Sequence, residues 1–267
     1  MKTVDTLKGF VSLPVLCVGS LALLFVASSS SLVLGNKAKQ FKPPELENRT
    51  QSFKLVSEQK ADRDLVLQFE NVSTLTITGY TLALGQERFG ADFFPNTAQK
   101  GIAPGAIEEV RVPLVNLSQS KDRIIVLTIV FEDHTSEGDF KAARMILNRR
   151  QGYATQMQHI RTLLLTTAQS TNKVSSLKPS TSLHNLRDKI SSLPEGEGTQ
   201  SSPGMKSGLN FAKQWTLKQI ARLESGDMDV EINRSPKYSQ LAIVPSGKIG
   251  AGLEYIVDQV DEILAKL

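Results

Sequence analysis

The run RIIVLTIVF, residues 123–131, is apolar on both of its alternating faces. Ile125, Leu127, Ile129 and Phe131 fall on one side of an extended strand, and Ile124, Val126 and Val130 on the other. A strand with one wet face alternates apolar with polar residues, so this one must be covered twice. The segment from Asp139 to about Thr167 is the expected second cover. There Ala143, Ile146, Tyr153, Met157, Ile160 and Leu164 recur at helical spacing. Gly152 lies within that stripe and costs about 1 kcal/mol relative to Ala in a helix, which predicts a bend or break.

Upstream, SFKLVS (52–57), RDLVLQFEN (63–71), TLTITGYTLAL (74–84) and EEVRVPL (108–114) read as strands. Turn clusters such as GIAPG at 101–105 separate them. Their number and punctuation predict a mainly β body with α, an immunoglobulin-like antiparallel β-sandwich followed by a long helix. The expected divisions are a signal-anchor or signal peptide at 1–36, a spacer at 37–51 stiffened by Pro43-Pro44, and the sandwich at 52–138. An amphipathic helix packing on the sandwich follows at 139–168, then a Ser-rich linker at 169–207 with a short helix over 182–193, and a mostly helical region at 208–267. Within the last, MDVEI and SQLAIV read as short strands. GLEYIVDQVDEILAKL reads as a helix with Leu253, Ile256, Val257, Val260, Ile263, Leu264 and Leu267 on one face.

From Gly9 to Asn36 the chain carries no charge, and its stretch FVSLPVLCVGSLALLFVA runs to 18 residues. That approaches the roughly 20 residues needed to cross a bilayer and exceeds an ordinary signal h-region. It reads as a retained single-pass anchor over residues 10–35 with the bulk exported. Cleavage after Ser29 or Gly35, giving a secreted or periplasmic body, is the alternative. Lys2 and Lys8 precede the segment and Lys37, Lys39 and Lys42 follow it, so the positive-inside bias is weak.

A net charge of +4, with no run of five Lys/Arg, argues against nucleic acid as a partner. The single cysteine, Cys17, lies in the apolar leader, so no intrachain disulfide forms. No GxSxG occurs, and His134, His159 and His184 share no metal-ligand spacing. PSGKIG at 245–250 lacks both the first glycine and the Ser/Thr of a phosphate loop. No cofactor and no metal is expected.

One stretch invites a catalytic or calcium reading. VFEDHTSEGD, residues 130–139, sets Glu132, Asp133, Glu137 and Asp139 beside His134. Counted from Asp133, Thr135, Glu137 and Gly138 match an EF-hand loop, but its twelfth position is Arg144 where a chelating carboxylate belongs. The structural alternative is a turn at Asp133-His134, a short return strand, and Asp139 capping the following helix. That corner is the expectation.

The same block, followed by an Arg-rich helix, resembles one in uncharacterised exported proteins of bacteria, especially Acidobacteria-like ones. Those carry FEDGTSEGD, and the match runs from Val130 through about Arg161. His134 stands where those proteins usually have Gly. The resemblance implies an exported sandwich domain and no particular activity.

The expected role is therefore a non-catalytic binding or scaffolding module in the cell envelope, with an unidentified protein partner at the membrane. Candidate partner-binding residues are Arg144, Arg149 and Arg150 on the basic helix, Trp215, and Leu253, Val257, Val260 and Leu264 on the C-terminal helix. Two other readings stand beside it: an accessory subunit of a membrane complex, and a hydrolase whose site is scattered along the chain. The basic 139–161 helix and the acidic final helix are either two solvated faces or faces that dock together or on an acidic partner.

Overall fold

The computed structural model describes residues 44–94, 101–117, 123–173, 179–196, 201–234, 236–239 and 245–267. These belong to one compact unit, Lys42–Leu267. The apolar leader and the start of the spacer lie outside the described residues. Among the described residues, no helix is long and apolar enough to cross a membrane.

Among the described residues, eight strands form two sheets. They are β1 (Leu46–Asn48), β2 (Phe53–Ala61), β3 (Asp64–Asn71), β4 (Ile77–Leu84), β5 (Glu87–Asp92), β6 (Ile107–Pro113), β7 (Ile124–Phe131) and β8 (Ser136–Gly138). One sheet runs β1-β7-β4-β5, with β8 also on β7; the other runs β2-β3-β6. The two are joined face to face through aromatic side chains. Phe53 stacks on Phe69 at 4.7 Å, and Tyr80 of the first sheet lies 5.3 Å from Phe53 of the second. The Tyr80 hydroxyl donates to Glu108 Oε1 at 3.1 Å, and burial raises the pKa of both groups.

Among the described residues, six α-helices follow: α1 (Phe140–Lys173), α2 (Pro179–Ser191), α3 (Pro203–Ser225), α4 (Asp229–Arg234), α5 (Pro236–Ser239) and α6 (Pro245–Leu264). The first turns of α1 lie on the sheet. Ala142 meets Ala83, Leu127 and Ile125, while Ala143 and Ile146 meet Val130. From Tyr153 onward the same helix becomes the spine of a second core. Met157, Ile160 and Leu164 pack there with Leu186 of α2, Ile220 of α3 and Ile256 of α6. Each such burial contributes about 1.5–3 kcal/mol relative to an exposed side chain.

Several expectations need correction. Strict alternation assigned Ile129 and Phe131 to the face of Leu127, but the register breaks first. Thr81 pairs with Thr128 and the next residue, Leu82, with Val126, leaving Leu127 as a bulge. One extra residue flips every side chain beyond it to the other face. Ile125, Leu127 and Val130 therefore meet the helix, and Ile129 and Phe131 turn inward.

The two sheets are not wholly antiparallel. Leu46–Asn48, placed in the spacer by its composition, pairs in parallel with Ile124–Val126. β5 is an additional strand that its polar sequence ERFGAD does not announce. Helix rather than strand makes up the larger share of the described residues, so the class is mixed α/β rather than mainly β. The Ser-rich stretch holds α2, whose Leu183, Leu186 and Ile190 are buried at three- and four-residue spacing. Asp229–Arg234, overlapping MDVEI, is helical, because Ile232 needs only one face to reach the core. Of SQLAIV, Ser239 ends α5 and residues 240–244 lie outside the described residues.

α1 also runs unbroken through Gly152. A Cβ there would meet the backbone oxygen of Met205 at 2.3 Å, so the glycine exists to let α3 approach. Gly204 and Gly208 do the same from α3, facing the backbone oxygens of Met145 and Arg149.

Candidate functional site

The acid-rich corner resolves into four separate structural tasks. Glu132 Oε1 accepts from the Thr76 amide at 3.2 Å, and Asp133 Oδ1 accepts from the amide and hydroxyl of Thr135. Glu137 accepts from the amides of Gln51 and Ser52 and from the Ser52 hydroxyl, at 2.6–2.9 Å. Asp139 Oδ1 accepts from the Ala142 amide at 2.8 Å, capping α1. His134 occupies the left-handed region at φ 67°, where the turn requires it. The expected turn, return strand and cap are all present. The carboxylates point to four different partners and do not converge.

Glu137 spans the longest separation in the corner, because its three donors lie 85 or 86 residues away. Replacing it with alanine strands two backbone amides at the start of β2. The expected cost is about 1–3 kcal/mol, read as a lowered midpoint in urea unfolding. An unchanged midpoint would mean that water replaces the carboxylate at no cost.

The candidate partner-binding residues separate into three groups. Leu253, Val257 and Val260 are buried in the helical core, and Leu264 and half-buried Trp215 pack against it. The apolar stripe of the last helix is thus spent inside the chain, against α1 and its neighbours, and is not open to a partner. Docking between the basic and acidic helices is also internal. Arg161 of α1 makes a two-pronged ion pair with Asp261 of α6, its Nη2 at 3.0 Å from Oδ2. Both side chains remain over 40% exposed, so the pair contributes little beyond orientation. Arg144 is exposed on α1.

Arg150 is not available to a partner either. Its side chain is 6% exposed and pairs with Asp92, which is 5% exposed. Nε and Nη2 donate to Asp92 Oδ1 at 3.1 and 2.9 Å, and Nη2 also donates to the Thr78 carbonyl at 2.9 Å. Gly79 leaves room for this reach, since a Cβ there would sit 3.1 Å from Nη2. Phe94 covers the guanidinium at 5.6 Å. Asp92 Oδ2 is buried with no hydrogen-bond partner. Burial holds the Asp92 carboxyl above its ordinary range, and the Arg150 charge only partly offsets this.

Arg149, one position earlier, turns the other way. It lines a cleft of about 350 Å³ between β5, the first turns of α1 and the start of α3. Arg88 of β5 lies on the same cleft, together with Met145, Gly204 and Ser207. Arg149 stands over the Phe211 ring at 5.3 Å. Among the described residues, no carboxylate forms an ion pair with Arg88 or Arg149. α3 opens on the cleft with Ser202 as its cap and Pro203 at its first position, so its positive end adds to the two guanidiniums.

Of the residues expected to bind a partner, only Arg149 lines this cleft. Arg88, Asp92 and the α3 cap went unmarked, because ERFGAD lacks an apolar alternation and Ser202-Pro203 looks like linker. The signal was present in part: Ser-Pro ahead of an apolar periodicity is a helix start. Compared with protein-family models, with curated proteins and with solved structures, the chain finds no significant match.

Proposed function

We propose that this protein is a non-catalytic binding module of the cell envelope, held at the membrane by residues 10–35. Its body is an immunoglobulin-like pair of sheets braced by a helical half. The observation that carries the reading is the cleft, where the guanidiniums of Arg88 and Arg149, in no ion pair among the described residues, border the outer edge of β5. The acids of the 130–139 corner support it, because each is already engaged in holding the fold. The uncharged leader and the resemblance of that corner to exported bacterial proteins agree with an envelope location.

Fractionation of cells making the full chain, followed by protease treatment of intact spheroplasts, tests the location. The chain is expected in the membrane fraction, with its body cut from outside. Recovery of uncleaved chain from the cytosol would overturn it.

A further inference from the structure

The cleft also indicates what is bound. The Phe93 amide donates to the Thr78 carbonyl at 3.1 Å, and β5 pairs with β4 in antiparallel register. Amides alternate along such a pair, so those of Ala91 and Phe89 face β4. The amides and carbonyls of Arg88, Gly90 and Asp92 then face the outer edge, where no described strand pairs with them. This edge is about 13 Å long at 3.3 Å per residue. An unpaired edge is a template for another strand unless something blunts it. β2 is blunted, because a bulge interrupts its register and Glu58 and Lys60 share the faces of Leu67 and Leu65. β5 pairs with β4 without a register shift, so no bulge interrupts its edge.

On the cleft side of the edge the exposed charge is basic. Arg88 is exposed at its start, and Arg149 faces it across the cleft. Among the described residues, the only acid lining the cleft is Asp92, which is paired with Arg150. Met145 is 46% exposed and offers an adaptable apolar contact between the cations.

We infer that the cleft takes an extended peptide segment rich in Asp and Glu, which adds as a strand to β5 and places carboxylates on Arg88 and Arg149. Strand addition supplies main-chain hydrogen bonds, and alternate side chains supply specificity. Guanidiniums from β5 and from α1 at the same cleft suit a segment that carries several acids. This rests on the reading of the protein as a binding module, and stands apart from where the chain resides.

The test uses full-length protein in detergent micelles and a fluorescein-labelled hexapeptide alternating glutamate and valine, read by anisotropy at low salt. Saturable binding is expected, with none for the lysine–valine counterpart. Arg88→Glu and Arg149→Glu should each weaken it by roughly tenfold or more. Lys189→Glu, on exposed α2 surface away from the cleft, should leave it unchanged. Arg88 is exposed, so its replacement leaves the core intact, and circular dichroism verifies this. Methylating alternate peptide nitrogens should abolish binding, because it removes the donors a strand needs.

Equal binding of the methylated peptide would overturn strand addition. Equal binding by a short single-stranded oligonucleotide would reduce the cleft to a general polyanion surface and overturn the acidic-peptide assignment. Absence of peptide binding in a chain that fractionates to the envelope would sink this inference while leaving the module reading standing.

Discussion

Arg150→Ala is expected to destabilise the fold by about 3–5 kcal/mol, the cost of stranding one member of a buried ion pair. Asp92 would keep a carboxylate at 5% exposure whose Oδ2 already lacks a partner, and Oδ1 would lose both its donors from Arg150. The Thr78 carbonyl loses one of its two donors and keeps the Phe93 amide. A denaturant midpoint measures the effect directly. Replacing both partners gives a different outcome. Asp92→Leu with Arg150→Met removes the charges and keeps the volume, so the double variant is expected within about 1–2 kcal/mol of wild type.

The direction of the Asp92 pKa underlies that expectation. Burial outweighs the attraction of Arg150, so the folded pKa lies above the ordinary 3.8. A raised carboxyl binds its proton more tightly folded than unfolded. Its contribution to stability is therefore full below 3.8 and falls as pH rises through the folded value. Wild type should lose stability relative to Asp92→Asn over that window. The opposite slope would show that Arg150 more than repays the burial.

The second large effect sets two principles against each other. Helix propensity alone makes Gly208→Ala favourable by about 1 kcal/mol. The packing of α1 on α3 reverses the sign, because a Cβ at 208 would lie 1.9 Å from the Arg149 carbonyl oxygen and 2.7 Å from the Tyr153 nitrogen. Both are backbone atoms of a continuous helix and cannot rotate away. The helices must separate, opening the core around Tyr153 and Met157, so a net loss of about 3 kcal/mol or more is expected. Gly252→Ala provides the contrast. Its added Cβ meets side-chain methyls of Leu223, which have rotamers to move into, so a smaller loss is expected there. A Gly208→Ala protein as stable as wild type would mean that the two backbones do not approach this closely.

How much of the molecule the chain announces varies from element to element. β3, β4, β6, β7 and α1 are legible because their side chains alternate or recur at helical period over a long enough run. The corner at 130–139 is legible down to its turn and cap, since those use local chemistry: a residue tolerant of positive φ, and a carboxylate three residues before an amide. β1 and β5 are not, because they form by adding to an existing edge, and the partner's edge decides rather than their own residues. α2 is hidden because serine-rich composition masks three well-spaced apolar residues.

The cleft belongs to the same class of hidden feature. Arg149 and Arg150 are chemically identical neighbours, and nothing local distinguishes the one that is buried from the one that faces the cleft. Their fates differ by the 100° that separates successive residues around α1. That turn aims Arg150 at Asp92 and Arg149 toward the cleft and the Phe211 ring. Local pattern, then, determined by itself the strands β3, β4, β6 and β7 and the helix α1, where α1 begins, and that β7 would be covered twice. Only the tertiary structure decided which charges are neutralised, which glycines bring backbones together, and that the last helix satisfies its apolar face within its own chain. Those outcomes depend on contacts between residues as far as 100 positions apart, whose pairing energy exists only once both elements are in place.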